Sequence, residues 1–475
     1  KAWGTAYNFD GAGGLPRANP AAYDYLHSTG GHPGRGSSQG AGFDRYAIGA
    51  YEIQPGEAGF LQIANSSVSV TSGNSGGVET RVYVNDTLRT SFVAAGAAGP
   101  NHFDMALGPV SVGDKVYVAV GPNVHDGSDT FGLGYRLETT TDASTVLWDA
   151  NGTLPVDGGT GNWDTANARW YSAAGSYTTW NNGAALNANF GPAAGTVTLT
   201  EPITARSLTF GAGGYTIDGA STLTLTGAGT SGPGPATLNV VSQDPTTIAA
   251  AIASSAHVNK IGPGTLILTG NNTLGAELRA AGGELILAGS SVTNVSTVAK
   301  VGVTSHWAPG GTSGTLTIQD NAQLTARHIY MGENWDPTIS GMKCVINQTG
   351  GTVTTTAGDG ENNGIRIGHW PSETSTYNLS GGTLTIGGGA ELGIAIDGTG
   401  IYNQTGGVMN ATTVVVNCRN NANGNGTFTV AGGVANIGAG GIVNEGTGPA
   451  AVNVGGSGGT LRATASWAMS SDEAQ

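Results

Sequence analysis

A pair of glycines that closes one strand-like run and opens the next returns five times toward the C-terminus. It stands in INQTGGTVT from Ile346, YNLSGGTLT from Tyr377, YNQTGGVMN from Tyr402, FTVAGGVAN from Phe428 and VNVGGSGGTLR from Val452. Aligned on Gly350, Gly381, Gly406, Gly432 and Gly458, the intervals are 31, 25, 26 and 26 residues. A unit this short cannot bury its own apolar face, so neighbouring units must stack on one another. Each unit reads as three short strands. The first is RHIYMG (327–332), GIRIG (364–368) or TTVVVN (412–417); a loop, the YNL strand, the glycine pair and a third strand such as TLTIGG (383–388) follow. Period-two alternation puts Ile365 and Ile367 on one face and Arg366 on the other. Three strands per turn, stacked in register, describe a right-handed parallel β-helix of the pectin-lyase-like kind.

Composition agrees. Glycine makes up 82 of 475 residues, charged residues only 11%, and Thr, Val, Leu and Ile fall in short runs, which is the profile of a turn-rich all-β chain that folds. The net charge of -14, with no concentrated basic surface, excludes nucleic acid as a partner and disfavours acidic polysaccharides. No apolar run approaches membrane-spanning length, so membrane insertion is not expected. Cys344 and Cys418 fall three coils apart, which at ~4.8 Å per coil separates them by ~14 Å; a disulfide needs Cα atoms within about 7 Å, so two free thiols are expected.

Three tryptophans occupy the loop after the first strand of their coils: Trp307 in KVGVTSHWAP (300–309), Trp335 in YMGENWDP (330–337) and Trp370 in RIGHWPSE (366–373). Each is stiffened by a proline, Pro309, Pro337 or Pro371. Stacked coils would raise the indoles as a ladder for the sugar rings of a linear polysaccharide, with His306, Glu333, Asp336, His369 and Glu373 bonding hydroxyls. Rings folded back as packing are the competing reading.

Further toward the N-terminus, Trp148, Trp163, Trp170 and Trp180 lack that loop setting and read as a capping region at about 145–195, shielding the solenoid's first edge. Residues 1–141 alternate strands and turns, with VNDT (84–87) a hairpin signal, and form a β-sandwich of jelly-roll type before a β-helix over 142–475. In GPNVHDGSDTFG (121–132), Asp126 and Asp129 are candidates for a structural calcium against an ordinary turn role. HSTGGHPGRGS (27–37) carries two histidines without zinc-ligand spacing.

KIGPGTLILTGNNT (260–273) followed by AGGELILAG (281–289) resembles the autotransporter-associated β-strand repeat, through Lys260, Gly262, Gly264, Thr265, Leu266, Leu268, Gly270, Asn272 and Thr273. That resemblance implies a secreted or cell-surface bacterial β-helix and brings no shared catalytic residues. The N-terminal segment resembles the jelly-roll modules that accompany polysaccharide-active domains. The pairing of sandwich and β-helix is similar to the family 89 carbohydrate-binding modules found with bacterial xylanases, which implies xylan as ligand.

The expected function is therefore noncatalytic binding of a neutral plant cell-wall polysaccharide, xylan, by a monomeric extracellular module without cofactors, in some settings fused to a catalytic domain. One alternative is a β-helical lyase or hydrolase. Against it, Glu333, Asp336, Asp359, Glu361, Glu373 and Asp397 form no tight acid pair, and Lys343, Arg366 and Arg419 stand singly and read as solvated. A structural or adhesive surface passenger is the other alternative.

Overall fold

The computed structural model describes residues 25–27, 29–35, 44–70, 76–94, 100–123, 129–140, 143–227, 234–304, 313–334, 340–357, 363–418, 424–456 and 458–467. These residues form strands and turns and no α-helix. From Thr145–Trp148 to Thr460–Ala463, 31 strands hydrogen-bond in chain order into one mostly parallel sheet, preceded by two antiparallel sheets of five and four strands. The fold is the expected all-β solenoid with a sandwich before it. By compactness the chain divides into two units: the first is Lys1–Asp218 with Leu238–Thr246 and Gly262–Thr265, the second the remainder.

In the first unit, strands Ala47–Glu52, Lys115–Pro122, Val78–Val84 and Thr87–Ala94 make the four-stranded sheet. Its alternate residues Val82, Phe92 and Val118 join Phe103 and Phe131 in a buried core. The VNDT signal is a hairpin, with Asn85 at φ 51 taking the left-handed turn that asparagine tolerates. The first coils belong to the same unit. Asn239 Nδ2 donates to the Asp104 carbonyl at 2.9 Å, the Gln243 amide donates to the Ser91 carbonyl at 3.0 Å, and Val241 lies in the sandwich's own core. Phe60 and Ala106 of the sandwich share a further apolar cluster with Leu147, Val156 and Tyr171 of those coils. Inside the coils Trp148, Phe190, Phe210 and Val240 follow one another in register, Phe190 and Phe210 stacked 4.8 Å apart. Trp163, Trp170 and Trp180 are buried beside them with centroids 4.7–4.9 Å apart. Strand Trp170–Ser172 pairs antiparallel with Thr145–Trp148, so the first coil's open hydrogen-bonding edge is covered.

In the second unit the interior is built as columns. Leu285, Leu316, Ile346, Tyr377, Tyr402 and Phe428 are successive partners on six coils, and Leu287, Ile318, Gln348, Leu379, Gln404 and Val430 run beside them; Val452 and Val454 continue the register on the last coil, where they are exposed. Tyrosines are tolerated inside because the same or the adjacent coil supplies an acceptor: Tyr377 Oη donates to Gln348 Oε1 at 2.7 Å and Tyr402 Oη to Gln404 Oε1 at 3.2 Å. On the outer side Asn403 Nδ2 donates to Asn378 Oδ1 and Asn378 Nδ2 to Asn347 Oδ1, at 3.3 and 3.0 Å, so the YN repeat places its tyrosine in the core and its asparagine in an external amide ladder. The motif shared with autotransporter repeats is likewise structural. Lys260 is fully buried and donates to the Gly282 carbonyl at 2.8 Å, and Asn272 Nδ2 donates to Thr293 Oγ1 at 3.0 Å. Burial lowers the Lys260 ammonium to a pKa of about 7 against the opposing pull of Glu284. Cys344 and Cys418 are buried and form no disulfide, as the coil count requires.

The glycine pairs superpose coil on coil, and the second member is special. Gly351, Gly382, Gly407 and Gly433 have φ of 61, 75, 64 and 69°. A Cβ at Gly382 would lie 2.3 Å from the Gly351 carbonyl oxygen, and one at Gly407 2.7 Å from that of Gly382. Gly389 shares the left-handed φ of 77° but a Cβ there meets nothing within 4 Å. Gly389→Ala should therefore cost about 1 kcal/mol of backbone strain alone, whereas Gly382→Ala should cost about 3 kcal/mol or more because the neighbouring coil must also give way. Urea denaturation of both variants checks this; equal losses would mean that close stacking does not set the requirement.

Candidate functional site

The outer face of one wall of the second unit carries a row of polar and ionisable side chains. Asn259, Arg279, Lys300, Tyr330 and Arg366 are successive partners along strands Val258–Ile261, Leu278–Ala280, Val292–Thr304, Gln323–Asn334 and Asn363–Ile367. Ile365 and Ile367 point inward and are fully buried, as alternation requires, leaving Arg366 on the outer side. Arg366 is not solvated, however: it is buried, with its guanidinium 4.5 Å from the Tyr330 ring centroid and Nη1 3.4 Å from His369 Nε2. The reason is register, which sets an aromatic face directly beneath it on the preceding coil.

Two linked clusters result. Glu277 lies between Arg279, at 2.5 Å, and Lys300, at 3.0 Å, and Lys300 reaches on to Glu333 at 2.5 Å. Burial pushes the Glu277 carboxyl up, but Lys300 and Arg279 outweigh it and hold the group below its usual range. His257, 3.6 Å from Glu277, is lowered by burial and then by Arg279, against the pull of Glu277. The second cluster is aromatic: Tyr330 has His328 at 5.6 Å and His369 at 5.2 Å, and His369 has Trp370 at 6.0 Å. Trp370 and His369 are half-buried, and they are the accessible end of the row.

Where chain turns from strand Asn363–Ile367 into Thr374–Leu379, Glu373 is folded inward and buried. Gly332 of the preceding coil, at φ 78°, makes room: a Cβ there would sit 2.3 Å from Glu373 Oε2. Burial raises the Glu373 carboxyl to about 8, Asn334's hydrogen bond counteracts it, and Glu333 adds to the rise. Next to it Cys344 and Ser375 are register partners, and burial pushes the Cys344 thiol well above its usual value. This corner stores a neutral acid and an unionised thiol at neutral pH.

Of the expected ligand-contacting residues, Trp370 and His369 thus share one partly open corner, while Glu333 and Glu373 are buried against Lys300 and Asn334. His306, Trp307, Trp335 and Asp336 lie outside the described residues, as does the calcium candidate Asp126; Asp129 is buried at the start of strand Phe131–Thr140. Among the described residues no three His, Cys, Asp or Glu side chains converge so as to hold a metal ion. Glu277, Arg279, Lys300, His328 and Tyr330 escaped the sequence reading. Their signal was the alternation of their strands, legible only once coils of 20 to 36 residues are set in register.

Among curated proteins, the chain is similar to the adhesin BmaC autotransporter of Brucella suis biovar 1 (strain 1330), at 39% identity over 187 residues, 38% of this chain and 5% of that protein. The chain thus spans a small part of the relative's length. No family model matches the chain. No solved structure matches it either. The likeness to family 89 carbohydrate-binding modules, and xylan with it, finds no support in these comparisons. The protein is extracellular, secreted or held at the cell surface.

Glu373 makes the corner sensitive to pH. Between the ordinary carboxylate value of 4.5 and about 8, the unfolded chain releases this proton and the folded chain keeps it. Its contribution to stability is therefore largest at low pH, falls as pH rises through that window and is level above it. Glu373→Gln should abolish this slope and exceed the parent by about 1–3 kcal/mol at the alkaline end. Chemical denaturation of both proteins across the window tests it; parallel pH profiles would refute the assignment.

Proposed function

We propose that the chain is a noncatalytic segment of an extracellular adhesive passenger, a solenoid that holds binding surfaces away from the cell. The observation that carries this reading is the 39% identity with an autotransporter adhesin over 187 residues. The wall's electrostatics favour it. Glu277, Arg279, Lys300 and Glu333 spend their charge on one another across three coils, which suits a load-carrying scaffold rather than acid–base chemistry. Beads coated with the full chain should adhere to cultured epithelial monolayers several-fold better than beads coated with an unrelated β-solenoid. No excess adhesion would sink the adhesive reading, and release of reducing ends from any polysaccharide in a panel would sink the noncatalytic one.

A second reading, recognition of a neutral polysaccharide by the solenoid, is favoured by the half-buried Trp370 indole beside His369. Electrophoresis through gels containing xylan or β-glucan should then show retardation that Trp370→Ala abolishes. Unretarded migration in every gel would eliminate it.

A further inference from the structure

The outer face of the sandwich's four-stranded sheet carries a row that the solenoid reading leaves unused. Val116, Val118 and Val120 point into the core, so Tyr117, Ala119 and Gly121 point outward. The pairing then aligns whole rows across the four strands. Ala50, Tyr117, Tyr83 and Leu88 form one row, and Ile48, Ala119, Arg81 and Ser91 the next. In a third row the Tyr46 ring lies across Gly121, where a Cβ would come within 2.3 Å of it, and its hydroxyl donates to Glu79, the cross-strand partner of Gly121.

These rows make a shallow trough. Ala119 is buried and forms its floor; Tyr117 and Tyr83 stand side by side along one margin, Tyr46 along the other, all half-exposed, and the margins lie ~13 Å apart along the strands. Ile48 is 48% and Leu88 41% exposed, two of the few large apolar side chains so open to solvent. Arg81 is clamped flat: Nε and Nη2 donate to Glu79 at 2.9 and 2.8 Å, and its guanidinium lies 4.9 Å from the Tyr46 centroid. With that ion pair closed, the three rows carry no net charge.

We propose that this trough is a binding platform for a neutral glycan chain. A pyranose ring has apolar C–H faces and a hydroxylated rim, and the platform matches both: tyrosine faces to stack on, and phenol, guanidinium and carboxylate edges to bond the rim. Its neutrality gives a charged ligand no advantage. A partner helix is the poorer fit, because the Arg81–Glu79 pair interrupts any continuous apolar stripe. The inference does not depend on the adhesive reading, and the two fail separately.

The test is saturation-transfer NMR and titration calorimetry on the full chain with neutral hexaoses of glucose, xylose, mannose and galactose. At least one hexaose should bind. Tyr83→Ala combined with Tyr117→Ala should weaken it about tenfold or more, with Leu154→Ala, at an exposed side chain away from the rows, leaving affinity unchanged. Should the double variant melt early, Tyr117→Ala alone reads the same loss. Failure of every hexaose to bind overturns the platform, as does binding that survives the tyrosine variants. Capture of a protein by the Tyr83–Tyr117 row with no hexaose bound also overturns it.

Discussion

Backbone-to-backbone contact at the glycine corners governs the second unit. At Gly382 and Gly407 the chain bends through left-handed φ at the point where the coil below presents a carbonyl 2.3–2.7 Å from the absent Cβ. Only glycine satisfies both demands, which sets the rise between coils and, with it, every side-chain pairing along the stack. The Tyr377, Tyr402 and Phe428 column, with centroids 5.8 and 5.2 Å apart, and the Asn347, Asn378 and Asn403 amide ladder are consequences of that rise. Neither ladder could form if successive corners differed in height.

The same register decides the electrostatics. Glu277, Lys300 and Glu333 come from three coils, yet stacking leaves them in direct contact and partly desolvated, so each charge has a neighbour of opposite sign. Such a chain of pairs adds modestly to stability, because burial cancels much of the attraction. It adds more to specificity: slipping one coil by a single residue would bury a carboxylate against apolar surface. Glu373 lies at the edge of this arrangement beside Glu333 and Asn334, and burial keeps its proton on.

Much of this was legible beforehand because repetition reports on stacking directly. The glycine intervals proved to be the coil lengths, and the alternation of Ile365, Arg366 and Ile367 set the inside from the outside. What escaped was everything depending on the partner across a coil. Arg366 reads as an isolated solvated cation until Tyr330 is known to lie under it. Glu333 and Glu373, read as reaching outward for hydroxyls, instead face Lys300 and Asn334. The sandwich tyrosines were hidden for a related reason: "TRVYV" and "KVYVAV" show that Tyr83 and Tyr117 face outward, but only the strand order makes them neighbours.

The recurrent residues and the functional ones are therefore different sets. Lys260, Asn272, the glycine pairs and the YN dyads are all consumed by the fold, their polar atoms bonded to carbonyls or to one another. A repeat whose distinctive residues are so engaged can be copied many times without duplicating any activity, which suits a stalk. On the adhesive reading proposed above, recognition would come from positions where the pattern is broken, and two such places stand out: the Trp370 corner, where one coil's turn carries an indole and an imidazole, and the sandwich face, which lies outside the repeat altogether. The sandwich face is the better built of the two. Its tyrosines stand on a sheet whose opposite side is a close-packed core of Val82, Phe92 and Val118, so their spacing is held by main-chain hydrogen bonds. Rings held in place before a ligand arrives lose little freedom on binding.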